Sequence, residues 1–385
     1  MKGPVISTVV SLCLLGAVLS GCALIDEQRN DCPEEMTLTC SLNLVNNKEQ
    51  EMDENLGTLH DRPLREALED YLTDVFATTS HDVELLFYDQ RNRGKMTFRQ
   101  KEVMDAGQKV FTFRVPASDY RVVGVSNLSA VPMLSLKDEE NSAGVAVVQK
   151  LSAKAVTSHP AAAFTARKRI LVRDKDDQAF DMHFYMANSA AALLLNRDSC
   201  EVKSIRAEYI GLADTFKVLD SAYSFDQQAV IQADNIDVVP LTGTAESEEV
   251  VSMDADPFIY DIFWELWTKT PLMLCGVGFP SPNVSSEVIG IYPKIWTIDL
   301  YVTLEDDTVT RNQIYIGRPL VAGSLMIIKG WICADGSFTP RPEHEPYNPG
   351  PGGPDEPPEP PSDSTVVGVN VTLQWKEGTE YNPTI

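Results

Sequence analysis

Few residues in this sequence have the type and spacing that chemistry needs. The five histidines are His60, His81, His159, His183 and His344. None stands in an H-E-x-x-H pair, a G-x-S-x-G elbow, a Walker loop or a G-x-G-x-x-G turn. No nucleophile, base or phosphate cradle is assembled along the chain, so a non-enzymatic protein without a cofactor is expected. Asp174, Asp176, Asp177 and Asp181 crowd carboxylates as a calcium loop does, but the glycine and bidentate glutamate of such a loop are not in place. A solvated acidic turn is expected there, and no metal. Phe258, Tyr260, Phe263, Trp264 and Trp267 could stack on a sugar, although filling a sandwich core is the commoner use of such a cluster.

The one side chain with a chemical assignment is the thiol of Cys22. Ahead of it stand a basic Lys2, an apolar run from Val5 to Leu19 and the small pair Ser20 and Gly21, the pattern of a secretory signal peptide over residues 1–21. That run is shorter than the roughly 20 apolar residues of a membrane-spanning helix. Leu19-Ser20-Gly21-Cys22 resembles the bacterial lipobox, in which the cysteine thiol takes a diacylglyceryl group and the chain is cut before it. The resemblance makes Cys22 the lipidation site. Several acyl chains such as palmitate anchor stably, because each buried methylene contributes roughly 0.8 kcal/mol and a single chain is marginal. Cys32, Cys40, Cys200, Cys275 and Cys333 remain. Their number is odd, so at least one thiol is expected free, and no C-x-x-C pair suggests metal or redox chemistry. Cys40 falls in phase with an apolar strand face, either as a small core residue or as half of a disulfide with Cys32.

The elements that must carry these residues follow from charge and periodicity. With 32 basic against 56 acidic residues the net charge is −24, which argues against nucleic acid or an anionic membrane surface as partner. No later apolar stretch is long enough to span a bilayer, which leaves the lipid as the membrane contact. Residues 22–35 form a polar tether. Met36, Leu38, Cys40, Leu42 and Leu44 alternate as a half-buried strand. Asp61 and Pro63 then introduce a helix with Leu64, Leu68, Tyr71, Leu72, Val75 and Phe76 at helical spacing. Val83, Leu85 and Phe87 turn through Gly94 to Met96 and Phe98 as a hairpin, and a further pair of strands ends in Tyr120–Asn127, apolar on both faces and therefore central. Residues 131–160 read as irregular. Phe180–Met186, Trp296–Leu304 and a strand from Leu325 alternate again. Short strands with one convincing helix predict a mainly β protein of two antiparallel sandwich domains in series, 36–160 and 161–339, with the helix in the first.

From Pro340 to Pro361, 10 of 22 residues are proline, a stiff spacer over 340–363 that at about 3.1 Å per residue separates its ends by up to about 70 Å. The closing segment, 364–385, holds one strand pattern: Val367, Val369, Val371, Leu373 and Trp375 on one face and Gly368, Asn370, Thr372 and Gln374 on the other. A lone strand cannot satisfy its backbone or bury its apolar face. It must add to a sheet, either in its own second domain or in a neighbouring subunit.

Two stretches carry a family resemblance. V-E-L-L-F-Y-D from Val83, followed by F-T-F-R-V-P-A-S-D-Y-R-V-V-G-V-S-N ending at Asn127, resembles the first domain of the fimbrillin-associated anchor proteins. These are the minor and major fimbrial anchor lipoproteins of type V pili in gut and oral Gram-negative anaerobes. Ser118 and Asp119 stand where the family's turn has glycine, and Val125-Ser126-Asn127 replaces its W-G-N-like triplet. Val202–Val218 is similar to a strand and turn of the second domain. The resemblance implies two transthyretin-like sandwiches, pilin subunits as partners through β-strand addition, and a structural role at the outer membrane as part of a fimbrium. Asp26 and Glu27 behind Cys22 also resemble the signal that sends such lipoproteins to the cell surface. The rival expectation is a surface lipoprotein that binds glycan, with its aromatic platform near Trp264.

Overall fold

The computed structural model describes residues 35–45, 62–75, 80–105, 108–151, 155–173, 178–197, 200–238, 271–284, 287–289, 292–339, 365–367 and 371–374. The described residues are mainly β, with one helix among them. The first half holds β1 (Glu35–Leu44), α1 (Arg62–Val75), β2 (Ser80–Asp89), β3 (Lys95–Asp105), β4 (Gln108–Pro116), β5 (Asp119–Ser126), β6 (Leu134–Lys137), β7 (Ala146–Gln149), β8 (Val156–Thr157), β9 (Phe164–Leu171) and β10 (Gln178–Met186). The second holds β11 (Ser189–Asn196), β12 (Val202–Leu212), β13 (Thr215–Lys217), β14 (Ala222–Ser224), β15 (Ala229–Gln232), β16 (Asp234–Ile236), β17 (Leu272–Gly278), β18 (Glu287–Ile289), β19 (Tyr292–Lys294), β20 (Trp296–Leu304), β21 (Val309–Ile316), β22 (Ser324–Ile332), β23 (Phe338–Thr339), β24 (Thr365–Val367) and β25 (Val371–Gln374).

Seven strands close a barrel in the order β1-β10-β9-β5-β2-β3-β4. Alternation drives it: Leu38, Cys40 and Leu42 of β1, Leu85 and Phe87 of β2, Phe113 of β4 and Met182 and Phe184 of β10 all turn into one core. β5 lies between β2 and β9, the central place that its two apolar faces predict. Gly124 is needed there because a Cβ would lie 2.5 Å from the ring of Phe184.

Two expectations change. A boundary at 160 would give β9 and β10 to the second domain, but both complete this barrel. The wall is not shut until β10 lies against β1. Nor are the sheets antiparallel throughout: β1 and β10 run parallel, Leu38–Leu44 opposite Gln178–Phe184. Closure sets the first strand of the unit beside its last, and a long connection rather than a hairpin separates the two.

Beyond the barrel two sheets face each other, one ordered β16-β17-β11-β22-β23 with β25 also on β22, the other β24-β21-β20-β12-β15-β8. Leu193, Leu274, Met326 and Ile328 from the first meet Tyr209, Trp296, Ile298 and Ile314 from the second in a core of their own. Tyr209 ties the first sheet to the second, its hydroxyl donating to the carbonyls of Ala191 at 3.1 Å and Leu274 at 3.0 Å. Here too the first and a late strand, β11 and β22, pair in parallel.

The units interlock. β6 and β7 from the first half join β13 and β14 from the second in one sheet, β14-β13-β7-β6. Leu134, Val147 and Phe216 of that sheet pack on Leu86, Tyr88, Val123 and Val125, the outer face of the barrel. Residues 131–160 therefore contain strands where irregular chain is expected, because runs of two to four residues are too short for a period to show. The apolar stripe of α1, Leu64, Leu68, Leu72 and Val75, is buried in the same core as the barrel lining and as Ala192, Leu194, Met273 and Ile327 from the sandwich.

Candidate assembly surface

The terminal segment is described by its backbone pairing. β24 runs parallel along the edge of β21, with Thr365, Val366 and Val367 opposite Ile314, Tyr315 and Ile316. β25 runs antiparallel along β22, with Val371, Thr372, Leu373 and Gln374 opposite Ile327, Met326, Leu325 and Ser324. β21 and β22 belong to opposite sheets. The segment thus pairs with one strand of each sheet, along sides of β21 and β22 that meet few other backbone partners among the described residues. One continuous strand is expected from Val367 to Trp375; the described residues instead form two, because the edges they complete lie in different sheets. Val367, Val371 and Leu373 fall at paired positions, while Val369 and Trp375 lie outside the described residues.

The receiving edges were only half legible. The apolar run from Leu325 announces β22, but β21 reads V-T-R-N-Q-I-Y-I and hides its alternation because its outer face is polar. That face is built with care. Asp299 of β20, its side chain 3% exposed, accepts from Arg311 of β21 and from Gln313 Nε2 at 3.1 Å, and Gln313 Oε1 accepts from Tyr315 at 2.6 Å. Asp299 in turn holds the Arg311 guanidinium in its charged form. The guanidinium of Arg206 lies 4.3 Å from the centre of the Tyr301 ring. Charged side chains thus tie β21 to β20 on the outside while Ile314 and Ile316 bury inside.

Cys22 and Cys32 lie outside the described residues, as do the aromatic cluster of Phe258 to Trp267 and Asp174, Asp176 and Asp177. Asp181 is exposed on β10, 3.7 Å from Lys168. Among the described residues no group of three or more His, Cys, Asp or Glu could hold a metal ion, and no helix is long and apolar enough to cross a membrane. Cys40, Cys200, Cys275 and Cys333 are all buried. Burial, with a contribution from Asp181, pushes the Cys40 thiol up to about 12. Burial and Asp234 raise Cys275 as well. Both are neutral core residues rather than nucleophiles.

No family model and no curated protein matches this chain. Solved structures do. A candidate polysaccharide-binding protein of Bacteroides thetaiotaomicron aligns at 11% identity and a TM-score of 0.43, over 78% of this chain and 93% of its own. The fimbrial anchor protein of Porphyromonas gingivalis aligns at 9% identity and a TM-score of 0.40, over 78% and 94%. The tip fimbrial protein of the same organism, truncated at its C-terminus, aligns at 9% and 0.37, over 78% and 96%.

Proposed function

We propose that this chain is a structural lipoprotein of the fimbrial anchor type, attached to the outer membrane through acylated Cys22 and exposed at the cell surface. It ends or tethers a fimbria whose pilin subunits it contacts by β-strand addition. The observation that carries the reading is the terminal segment. Past a proline-rich stretch of sequence, two short strands pair with edges of this chain's own two sandwich sheets, and a strand held by ladder bonds at an edge is the unit that subunits can share. The transthyretin-like pair of domains implied by the family resemblance belongs to the same proposal. In this reading the aromatic cluster near Trp264 is core, and no catalytic group is required.

The test is a strain carrying Cys22→Ala, with cell-bound and medium fractions compared by electron microscopy for fibres and by mass spectrometry for pilin. Fibres shed intact into the medium are expected. Loss of saccharide binding with fibres unaffected would replace the anchor by the glycan-binding lipoprotein.

A further inference from the structure

The strand that receives the chain from Cys22 is held on both sides. The sequence enters β1 at Glu35. On one side β1 pairs antiparallel with β4, from Glu35 opposite Pro116 to Asn43 opposite Gln108. On the other it pairs parallel with β10, from Leu38 opposite Gln178 to Leu44 opposite Phe184, and Val45 N extends that ladder to Phe184 O at 2.9 Å.

The chain enters and leaves this ladder at opposite ends of the barrel. β1 begins at the end that holds the turn from β4 to β5, since Glu35 lies opposite Pro116. β10 finishes at the other end, where Met186 lies opposite Phe164. After Ala187 and Asn188 the chain becomes β11, which stands between β17 and β22 inside the sandwich. A pull between Cys22 and the sandwich therefore enters at the start of β1 and leaves at the end of β10. These points are separated by roughly 36 Å along the strands and by one strand spacing, about 4.8 Å, across them. The pull runs almost along the strand axis.

Direction decides how such a ladder resists. Parallel neighbours drawn from opposite ends share the load over every bond between them, whereas strands parted from the same end lose their bonds one at a time. β1 must also slide past β4, whose own end turns into β5 within the barrel wall. Side chains oppose the slide as well. Leu38, Cys40 and Leu42 are buried in one core with Phe113, Phe180, Met182 and Phe184, and a shift of β1 by one residue would turn them to the outside.

We propose that β1 is a tension clamp: a pull between the N-terminal tether and the sandwich loads its two ladders in shear, so that the barrel holds while a fibre drags on the sandwich. The source of the pull rests on the anchor reading. The geometry of the clamp does not.

The test is single-molecule force spectroscopy on the full chain after its leader, carrying Cys22→Ala to keep it free of lipid. One handle is joined to the N-terminus. The other is joined through an encoded azide either to position 309, where Val309 is exposed at the start of β21, or to position 114, where Arg114 is exposed on β4 opposite Thr37. The first handle applies the shear, and the second parts β1 from β4 at one end. Through position 309, opening of the barrel is recognised by a gain of about 50 nm, the extended span of residues 35–186. At one loading rate that opening is expected to need a force about threefold or more above the first rupture through position 114, because many bonds must break together rather than in turn. A sandwich that unfolds first passes the load along the chain to Met186, so the comparison stands in either order. Equal forces through the two handles overturn the clamp. Fibres that stay on Cys22→Ala cells would remove the lipid anchor and leave these forces unchanged, so either result can fail without the other.

Discussion

The joint between barrel and sandwich and the attachment of the terminal segment are two contacts made by different means. At the joint backbone ladders, β7 on β13 and β8 on β15, are combined with buried side chains. His159 N donates to Val277 O at 2.9 Å, Val277 N to Ser158 Oγ at 2.9 Å and Ala163 N to Asn188 Oδ1 at 3.2 Å. Phe279 is fully buried against the rings of His159 and Tyr223. At the tail the described contact is a backbone ladder along two edges. Apolar burial contributes roughly 25 cal/mol for each Å², whereas a ladder bond nets only about 0.5–1.5 kcal/mol, much of it offset by the cost of ordering the residue. The joint therefore adds buried apolar side chains to its ladders, and breaking it is expected to cost the fold the most.

Breaking the joint gives the largest effect. Phe279→Ala removes a ring shared by the sheet on the barrel's outer face and the end of the sandwich, and is expected to cost about 3–5 kcal/mol. Because the β14-β13-β7-β6 sheet and α1 link the units, barrel and sandwich are expected to unfold in one transition in urea, by circular dichroism and by tryptophan fluorescence alike. Two separated transitions would show that the joint is a loose contact.

Acid probes the same place more gently. Burial of His159 lowers its affinity for a proton from the usual 6.5 to about 3, and burial lowers His81 as well. Between these values the unfolded chain binds a proton that the folded chain refuses. The contribution of His159 is therefore complete above about pH 6.5 and is lost as pH falls, at about 1.4 kcal/mol per unit, or about 2 kcal/mol by pH 5. Urea midpoints at pH 7.5 and 5 measure this. His159→Leu, which cannot take a proton, is expected to flatten the difference, and an unchanged slope would assign the acid sensitivity to other groups.

The parts legible in the sequence are those whose period runs long enough to read. α1 shows itself by Leu64, Leu68 and Leu72, the β2–β3 hairpin by Leu85, Phe87 and Gly94, and β5 by its two apolar faces. The barrel's limit does not, because Phe164–Leu171 and Phe180–Met186 look the same whichever sheet they join; only pairing with β5 and β1 decides it. β6, β7, β13 and β14 have three or four residues each and are strands because they find one another across some 70 residues of chain. Of the assembly surface, the strand-like tail and the β22 strand from Leu325 are readable, whereas β21 and the pairing of the tail with either strand are not, since the sequence does not show what a strand lacks beside it.

The smallest stability effect separates the two contacts most sharply. A chain ending at Asp363 loses β24 and β25 and nothing of the joint. Seven described residues leave their ladders, and bonds worth about 0.5–1.5 kcal/mol each are set against roughly 1–2 kcal/mol per residue of regained freedom. A shift of the urea midpoint equivalent to less than about 1 kcal/mol is expected. Amide exchange should respond far more, and locally: over Ile314–Ile316 and Ser324–Ile327, with Ala190–Leu195 and Leu272–Gly278 unchanged because their ladders lie elsewhere. If the truncated chain instead loses the stability expected of Phe279→Ala, the tail is part of the core. Strand exchange at these edges would then require the sandwich to unfold first.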